Sequence, residues 1–116
     1  LFFRALGDLP AELPEGDDAI VALLGDAFYD DAKAAAHRAG LAAWLRRWHA
    51  HVSAEDEPPA ARRARMHAVN PRYILRNYLA QQAIDRAESG DPSEIARLLD
   101  VMRRPYDDRP EYAEYA

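Results

Sequence analysis

From Asn70 to Ser89 the chain carries one unbroken helical pattern, and that stretch limits the fold more than any other. Pro71 is expected in its first turn, where the missing N–H costs nothing and the fixed φ suits a helix. Asn70 is expected to cap it, its side chain accepting from an orphan N–H. Gly90 follows the last periodic residue and suits a left-handed position just past the helix end. On a helical wheel Tyr73, Leu75, Tyr78, Leu79, Ala80, Ala83, Ile84 and Ala87 cover a broad arc. Asn77, Gln81, Asp85 and Glu88 make the clearly polar face. A helix apolar around most of its circumference is packed on several sides, so this one is expected to be central.

The flanking segments carry start and stop signals of their own. Asp91-Pro92-Ser93-Glu94 reads as an N-cap, a proline at the first helical position and a glutamate reaching back. Ile95, Leu98, Leu99 and Met102 then keep helical spacing, and Pro105 ends the run. The tight Ser89-Gly90 connection predicts an antiparallel αα-hairpin. Upstream, Leu1 to Leu6 resembles the end of a helix, and Gly7 to Gly16, with two prolines and two glycines, reads as a loop. Asp17 or Asp18 is expected to cap a helix whose apolar face is Ile20, Leu23, Leu24, Ala27 and Phe28. Tyr29-Asp30-Asp31 reads as a break, with Asp30 or Asp31 starting a long helix to about Val52. Its first half presents Ala32, Ala35, Ala36 and Ala39, and its second Leu41, Trp44, Leu45, Trp48 and Val52. Gly40 between them is expected to mark a kink or a tight crossing. Ser53 to Pro59 is an acidic linker. Ala60 to Val69 is a short basic helix ended by the Asn70-Pro71 junction, because a residue before proline avoids the α region.

These readings give an all-α chain, a small helical bundle of about five helices that ends in the hairpin. At 116 residues a single helical domain over 1–116 is expected, with 106–116 as an extended Tyr-rich tail holding at most one helical turn, Glu111 to Tyr115. Composition agrees. Half the residues are hydrophobic (49%), which excludes wholesale disorder, and threonine is absent while Ala, Leu and Arg abound; helix formers therefore outweigh strand formers. There is no cysteine, so a disulfide framework, a thiol nucleophile and a cysteine-based zinc site are excluded. The longest apolar run, Ala19 to Leu24, is far too short for a bilayer, and no secretory-signal pattern precedes the first acidic residues. A cytoplasmic protein without membrane contact is expected. The chain opens in mid-pattern at Leu1 without a methionine, as a piece of a longer protein would.

Charge is split along the chain. The net value of −5 argues against a general nucleic-acid binder. Yet Pro58 to Ile84 holds five arginines (Arg62, Arg63, Arg65, Arg72, Arg76) and no acid, which leaves −10 on the remainder. Two readings fit. These arginines form an interaction surface for an acidic or nucleic-acid partner, or they pair with the acidic remainder and lie over apolar neighbours. The acidic surplus favours internal pairing. Trp44 and Trp48, one turn apart, suit a core better than a stacking platform. Asn77, Gln81 and Gln82 suit contacts to neighbouring loop backbone better than a ligand.

Catalytic patterns are absent. His49 and His51 fall on different helix faces, unlike a helical zinc pair at i, i+4, and His37 and His67 have no evident co-ligands. The doublets Asp17-Asp18 and Asp30-Asp31 are explained by capping, and Asp107-Asp108 lies in the tail. No Gly-rich phosphate loop or nucleophile elbow occurs. No catalytic, cofactor-binding or metal-binding residue is assigned within the chain.

The block Val69-Asn70-Pro71-Arg72-Tyr73-Ile74-Leu75-Arg76-Asn77-Tyr78-Leu79-Ala80-Gln81-Gln82-Ala83-Ile84 resembles the C-terminal region of the selenoprotein O family. The likeness continues through Gly90-Asp91, Leu98-Leu99 and Arg103-Arg104-Pro105-Tyr106 to the tail, and Leu1-Phe2-Phe3-Arg4-Ala5-Leu6 resembles another family segment. It is close over the last half and looser before. The resemblance implies a parent with a protein-kinase-like fold, this chain being the helical end of its C-terminal lobe. That parent would transfer AMP from ATP to hydroxyl side chains (Ser, Thr or Tyr) of protein substrates, using Mg²⁺ or Mn²⁺. The family's nucleotide lysine, metal-binding Asp and Asn, and catalytic base all lie N-terminal to anything present here, so none maps onto these residues. The implied partner is the N-terminal catalytic part of the same polypeptide. The family also ends in a short tail bearing cysteine or selenocysteine, which this sequence does not contain.

Overall fold

The computed structural model describes residues 1–28 and 35–116. Every regular element among them is helical, in the expected all-α class. Length alone predicts one domain; packing divides the chain into two compact units, Leu1–Asn70 and Pro71–Ala116, each with its own apolar core.

The first unit contains α1 (Phe2–Gly7), α2 (Asp17–Ala22), a 3₁₀ turn (Gly25–Ala27), α3 (Arg38–Ser53) and α4 (Pro59–Val69). Its core is Leu6, Leu9, Ile20, Leu24, Ala42 and Leu45, with Trp44, Trp48 and Met66 packed at the edge. Both tryptophans thus belong to the core. α2 lies on α3 and α1 on α4. Gly7 permits the second contact, because a Cβ there would come within 3.1 Å of the Met66 Cβ. Arg4 is buried beside it. Its guanidinium donates to the carbonyls of His67 (3.3 Å) and Asn70 (3.0 Å), placing a cation at the negative end of α4.

Three local expectations are corrected in this unit. Gly16, at φ +85, takes the N-cap of α2. Asp17 and Asp18 follow it in the first turn and pair with Arg46 and Arg38, each at 2.7 Å. α2 also ends at Ala22 instead of running to Phe28, because Gly25 turns the backbone to φ +50. Ile20 and Leu24 still face the core, so the periodicity marks the buried face but not the helix length. The expected long helix has its interruption at His37, where α3 is capped, and Gly40 falls in the first turn of α3. Its predicted start at Asp30 or Asp31, and the Tyr29 break, lie outside the described residues.

The second unit contains α5 (Asn77–Glu88), α6 (Ser93–Arg103) and a 3₁₀ segment (Pro110–Tyr115). α5 and α6 pack on each other as the expected hairpin around Leu79, Ala83, Leu98 and Val101. The turn between them is a Schellman motif. Gly90 has φ +93, its N–H donates to the Ala87 carbonyl at 3.0 Å, and the Asp91 N–H donates to that of Arg86 at 2.9 Å. The Asp91 carboxylate accepts from the Ser93 N–H at 3.0 Å, but from one position ahead of the N-cap, which Pro92 occupies instead of the first helical position. Glu94 does not reach back. It is buried against Arg86 and Tyr115.

The largest correction concerns residues 71–76, which are not helical. Asn70 is extended, and its side-chain amide donates to the Met66 carbonyl at 2.8 Å; it finishes α4 instead of starting the next helix. Beyond it, the N–H groups of Arg72 and Tyr73 both donate to the Pro105 carbonyl, at 2.7 and 3.1 Å. Tyr73 is 1% exposed. Its hydroxyl donates to the Arg109 carbonyl at 2.8 Å and accepts the Arg109 N–H at 3.1 Å. Burying that ring and satisfying both ends of its hydroxyl outweigh a weak local preference for helix. The tail is correspondingly less open than its composition suggests, since Tyr115 sits in the core.

Candidate interaction surfaces

The arginine segment is split between the two units, with Arg62, Arg63 and Arg65 on α4 and Arg72 and Arg76 just before α5. Arg62 is 3% exposed. Its guanidinium donates to the Leu9 carbonyl at 2.9 Å and lies 5.7 Å from the Trp48 ring centre, so it ties α4 to the loop after α1. Arg63 pairs with Asp8. Arg65 grips Glu57 with two hydrogen bonds, of 2.9 and 2.6 Å, which holds the Glu57 carboxyl below its usual range. Arg72 reaches Asp108 at 3.3 Å. Arg76 caps α5 from extended backbone, at φ −85 and ψ 148. The guanidiniums of Arg62, Arg63, Arg65 and Arg72 therefore meet acids or backbone of their own unit.

A second charged centre escaped sequence reasoning. The Arg109 guanidinium donates to the Asp100 carboxylate (2.7 Å), to the Asp100 carbonyl (3.2 Å) and to Glu111 (3.1 Å). It also stacks 4.2 Å from the Tyr112 ring centre, and the Tyr112 hydroxyl donates to Asp100 at 2.9 Å. These contacts push the Arg109 pKa up, chiefly through Asp100, and the Asp100 carboxyl down, chiefly through Arg109. Only the arginine among three tail tyrosines hinted at it.

One side of the hairpin carries a cleft of about 380 Å³, lined by Tyr78, Gln82, Arg86, Glu94, Arg97 and Tyr115 among others. Its charges are matched. Arg86 meets Glu94 at 2.8 Å and Arg97 meets Glu114 at 3.8 Å. The Tyr115 hydroxyl donates to Glu94, and burial, with that contact, pushes its phenol up. The histidines are dispersed: His49 bonds the Pro10 carbonyl at 2.9 Å, His67 faces Asp8 at 2.9 Å and His51 lies 3.9 Å from Glu55. No three His, Asp or Glu side chains among the described residues cluster to hold a metal ion. No described helix is long and apolar enough to cross a membrane.

No family model matches the chain. Whole-sequence relatives do. It is 54% identical over 110 residues, 95% of its length, to the protein nucleotidyltransferase YdiU of Xanthomonas axonopodis pv. citri. Against the proteins of that name from Azoarcus sp. and Xanthomonas campestris pv. campestris, identity is 52% and 49% over all 116 residues. These relatives are of the selenoprotein O family, and the chain is similar to one segment of them. It spans about a fifth of these relatives' length (20% or 21%). The family match covers the first unit as fully as the second, although sequence motifs resembled the family less closely there.

Proposed function

We propose that this chain is the non-catalytic C-terminal helical part of a protein adenylyltransferase, serving as scaffold for the catalytic lobe. The observation that carries the reading is identity near 50% along the whole chain to nucleotidyltransferases roughly five times as long. The parent would move AMP from ATP to Ser, Thr or Tyr hydroxyls of proteins, with Mg²⁺ or Mn²⁺ and the catalytic groups supplied by its N-terminal part. The residues present do not fit that metal: no three described His, Asp or Glu side chains gather into a ligand set, and Asp17, Glu57 and Asp100 are each held by an arginine. The cleft beside α5 and α6 likewise presents guanidiniums already matched by acids. What these residues supply is shape, in the form of two helical units whose charges are largely settled among themselves.

The test is calorimetry of the 116-residue chain with ATP and Mg²⁺, alongside a protein-labelling assay with radiolabelled ATP. Neither heat of binding nor AMP transfer is expected. Micromolar binding would overturn the reading.

A further inference from the structure

Helical geometry fixes which side chains share a side of the α5–α6 hairpin. Measured around α5 from the buried Leu79–Ala83 stripe, Ala80, Ile84 and Ala87 lie on one flank, with Tyr78 and Gln82 on the other. Around α6, measured from buried Leu98, Ile95, Leu99 and Met102 lie on one flank, with Glu94 and Arg97 opposite. Two right-handed helices running antiparallel turn in opposite senses when viewed from one end. The flanks carrying Ile84 and Leu99 therefore fall on the same side. The cleft agrees, since it collects Tyr78 and Gln82 together with Glu94 and Arg97 on the other side.

The Ile84 side is uncharged across its middle, with Asn77, Glu88 and Arg103 only at its margins. Ile84, Ile95 and Leu99 are 47%, 48% and 51% exposed. Between them Ala80 and Ala87 are small enough to let another helix approach closely. The tail segment Pro110–Tyr115 covers the opposite side, through Tyr115 and its bond to Glu94. The middle of the Ile84 side (Ala80, Ile84, Ala87, Ile95 and Leu99) carries no hydrogen-bonding or charged side chain, so the chemistry that fits it is apolar.

We propose that this side of the hairpin docks an apolar helix or loop from the remaining four-fifths of the longer polypeptide. The inference rests on the reading of the chain as part of a larger enzyme. The relatives' length supplies the occupant, and the lack of charge favours a permanent, core-like contact over a transient one. A second copy of the chain is the competing occupant.

The sequence holds no cysteine, so single thiols introduced by Leu99→Cys or, separately, Ile95→Cys report this face alone. Thiol-labelling rates would be measured in the 116-residue chain and in the full-length protein that carries it, each normalised to its urea-unfolded rate. Both thiols are expected to react at least about tenfold more slowly in the full-length protein. Equal rates in the two proteins would overturn the proposal. So would protection already present in the short chain that grows with concentration alongside a dimer in sedimentation, which would assign the face to a second copy. Circular dichroism of each variant establishes folding, and two positions guard against one failing. Labelling reads docking without activity, so absent AMP transfer beside protected thiols would sink the adenylyltransferase reading and leave the docking intact.

Discussion

Tyr73→Phe isolates the contact that overrode the local helix signal. The ring is 1% exposed and would stay in place, so the change removes only an oxygen. That oxygen makes two bonds to one residue, donating to the Arg109 carbonyl at 2.8 Å and accepting its N–H at 3.1 Å. Each such bond is worth about 0.5–1.5 kcal/mol net, so the loss should be about 1–3 kcal/mol. The backbone bonds from Arg72 and Tyr73 to Pro105 remain, which keeps the value from rising further. Tyr112→Phe is the control, for it loses one bond, to the partly exposed Asp100, and should cost less than about 1 kcal/mol. Urea unfolding followed by far-UV circular dichroism measures both. Trp44 and Trp48 both lie in residues 1–70, so tryptophan emission tracks the first unit separately. A Tyr73→Phe loss below about 0.5 kcal/mol, or one smaller than that of Tyr112→Phe, would refute the account of why residues 71–76 are extended.

Other expectations follow from the same contacts. Leu79→Ala, in the hairpin core at 5% exposure, should cost about 2–5 kcal/mol in denaturant titration; under about 0.5 kcal/mol would contradict its core role. Arg62→Ala removes a buried guanidinium from the Leu9 carbonyl and the Trp48 face, and should cost about 1.5–3 kcal/mol with a shift in tryptophan emission; unchanged emission and stability would contradict this. Asp100 is held below the usual carboxylate range by Arg109 first and Tyr112 second, and Glu111 by its own backbone N–H first and Arg109 second. Groups depressed in the folded state stabilise it above their unfolded pKa values, near 3.8 and 4.5, and that support fades as pH falls through the lower folded values. Protection from hydrogen exchange in residues 110–115, relative to the unfolded chain at the same pH, should therefore fall below about pH 4, and Asp100→Asn should flatten the profile; pH-independent protection in the native sequence would count against the Arg109 centre.

Where structure is set by neighbours in sequence, it was legible. Gly90, Asp91, the Pro59–Val69 helix and the end of α3 at Ser53 all depend on residues within one turn, and all lie close to where spacing and capping rules put them. The arginine pairing was legible in outline, because an acidic surplus must find its counter-charges, though no local rule names Glu57 for Arg65 or Asp108 for Arg72. Residues 71–76 were misread because the bonds that extend them come from Pro105 and Arg109, more than thirty positions away. Arg4 looks like an ordinary surface charge in the sequence and Glu94 like a capping glutamate; only folding shows one closing a helix end and the other buried between an arginine and a tyrosine. The broad arc of α5 overstated its burial, because Tyr78 and Ile84 are about half exposed.

The contact of α1 with α4 sets an order of events during synthesis. Phe2 to Gly7 leaves the ribosome before the rest of the first unit, yet its partner Met66 and the Asn70 carbonyl that receives Arg4 come about sixty residues later. At 5–20 residues per second that is a wait of roughly 3–12 s, far longer than a helix needs to form. During that interval Gly7 and the Leu9 carbonyl lack their neighbours Met66 and Arg62 on α4. The opening segment is the earliest part of the first unit to be made and among the last to be secured.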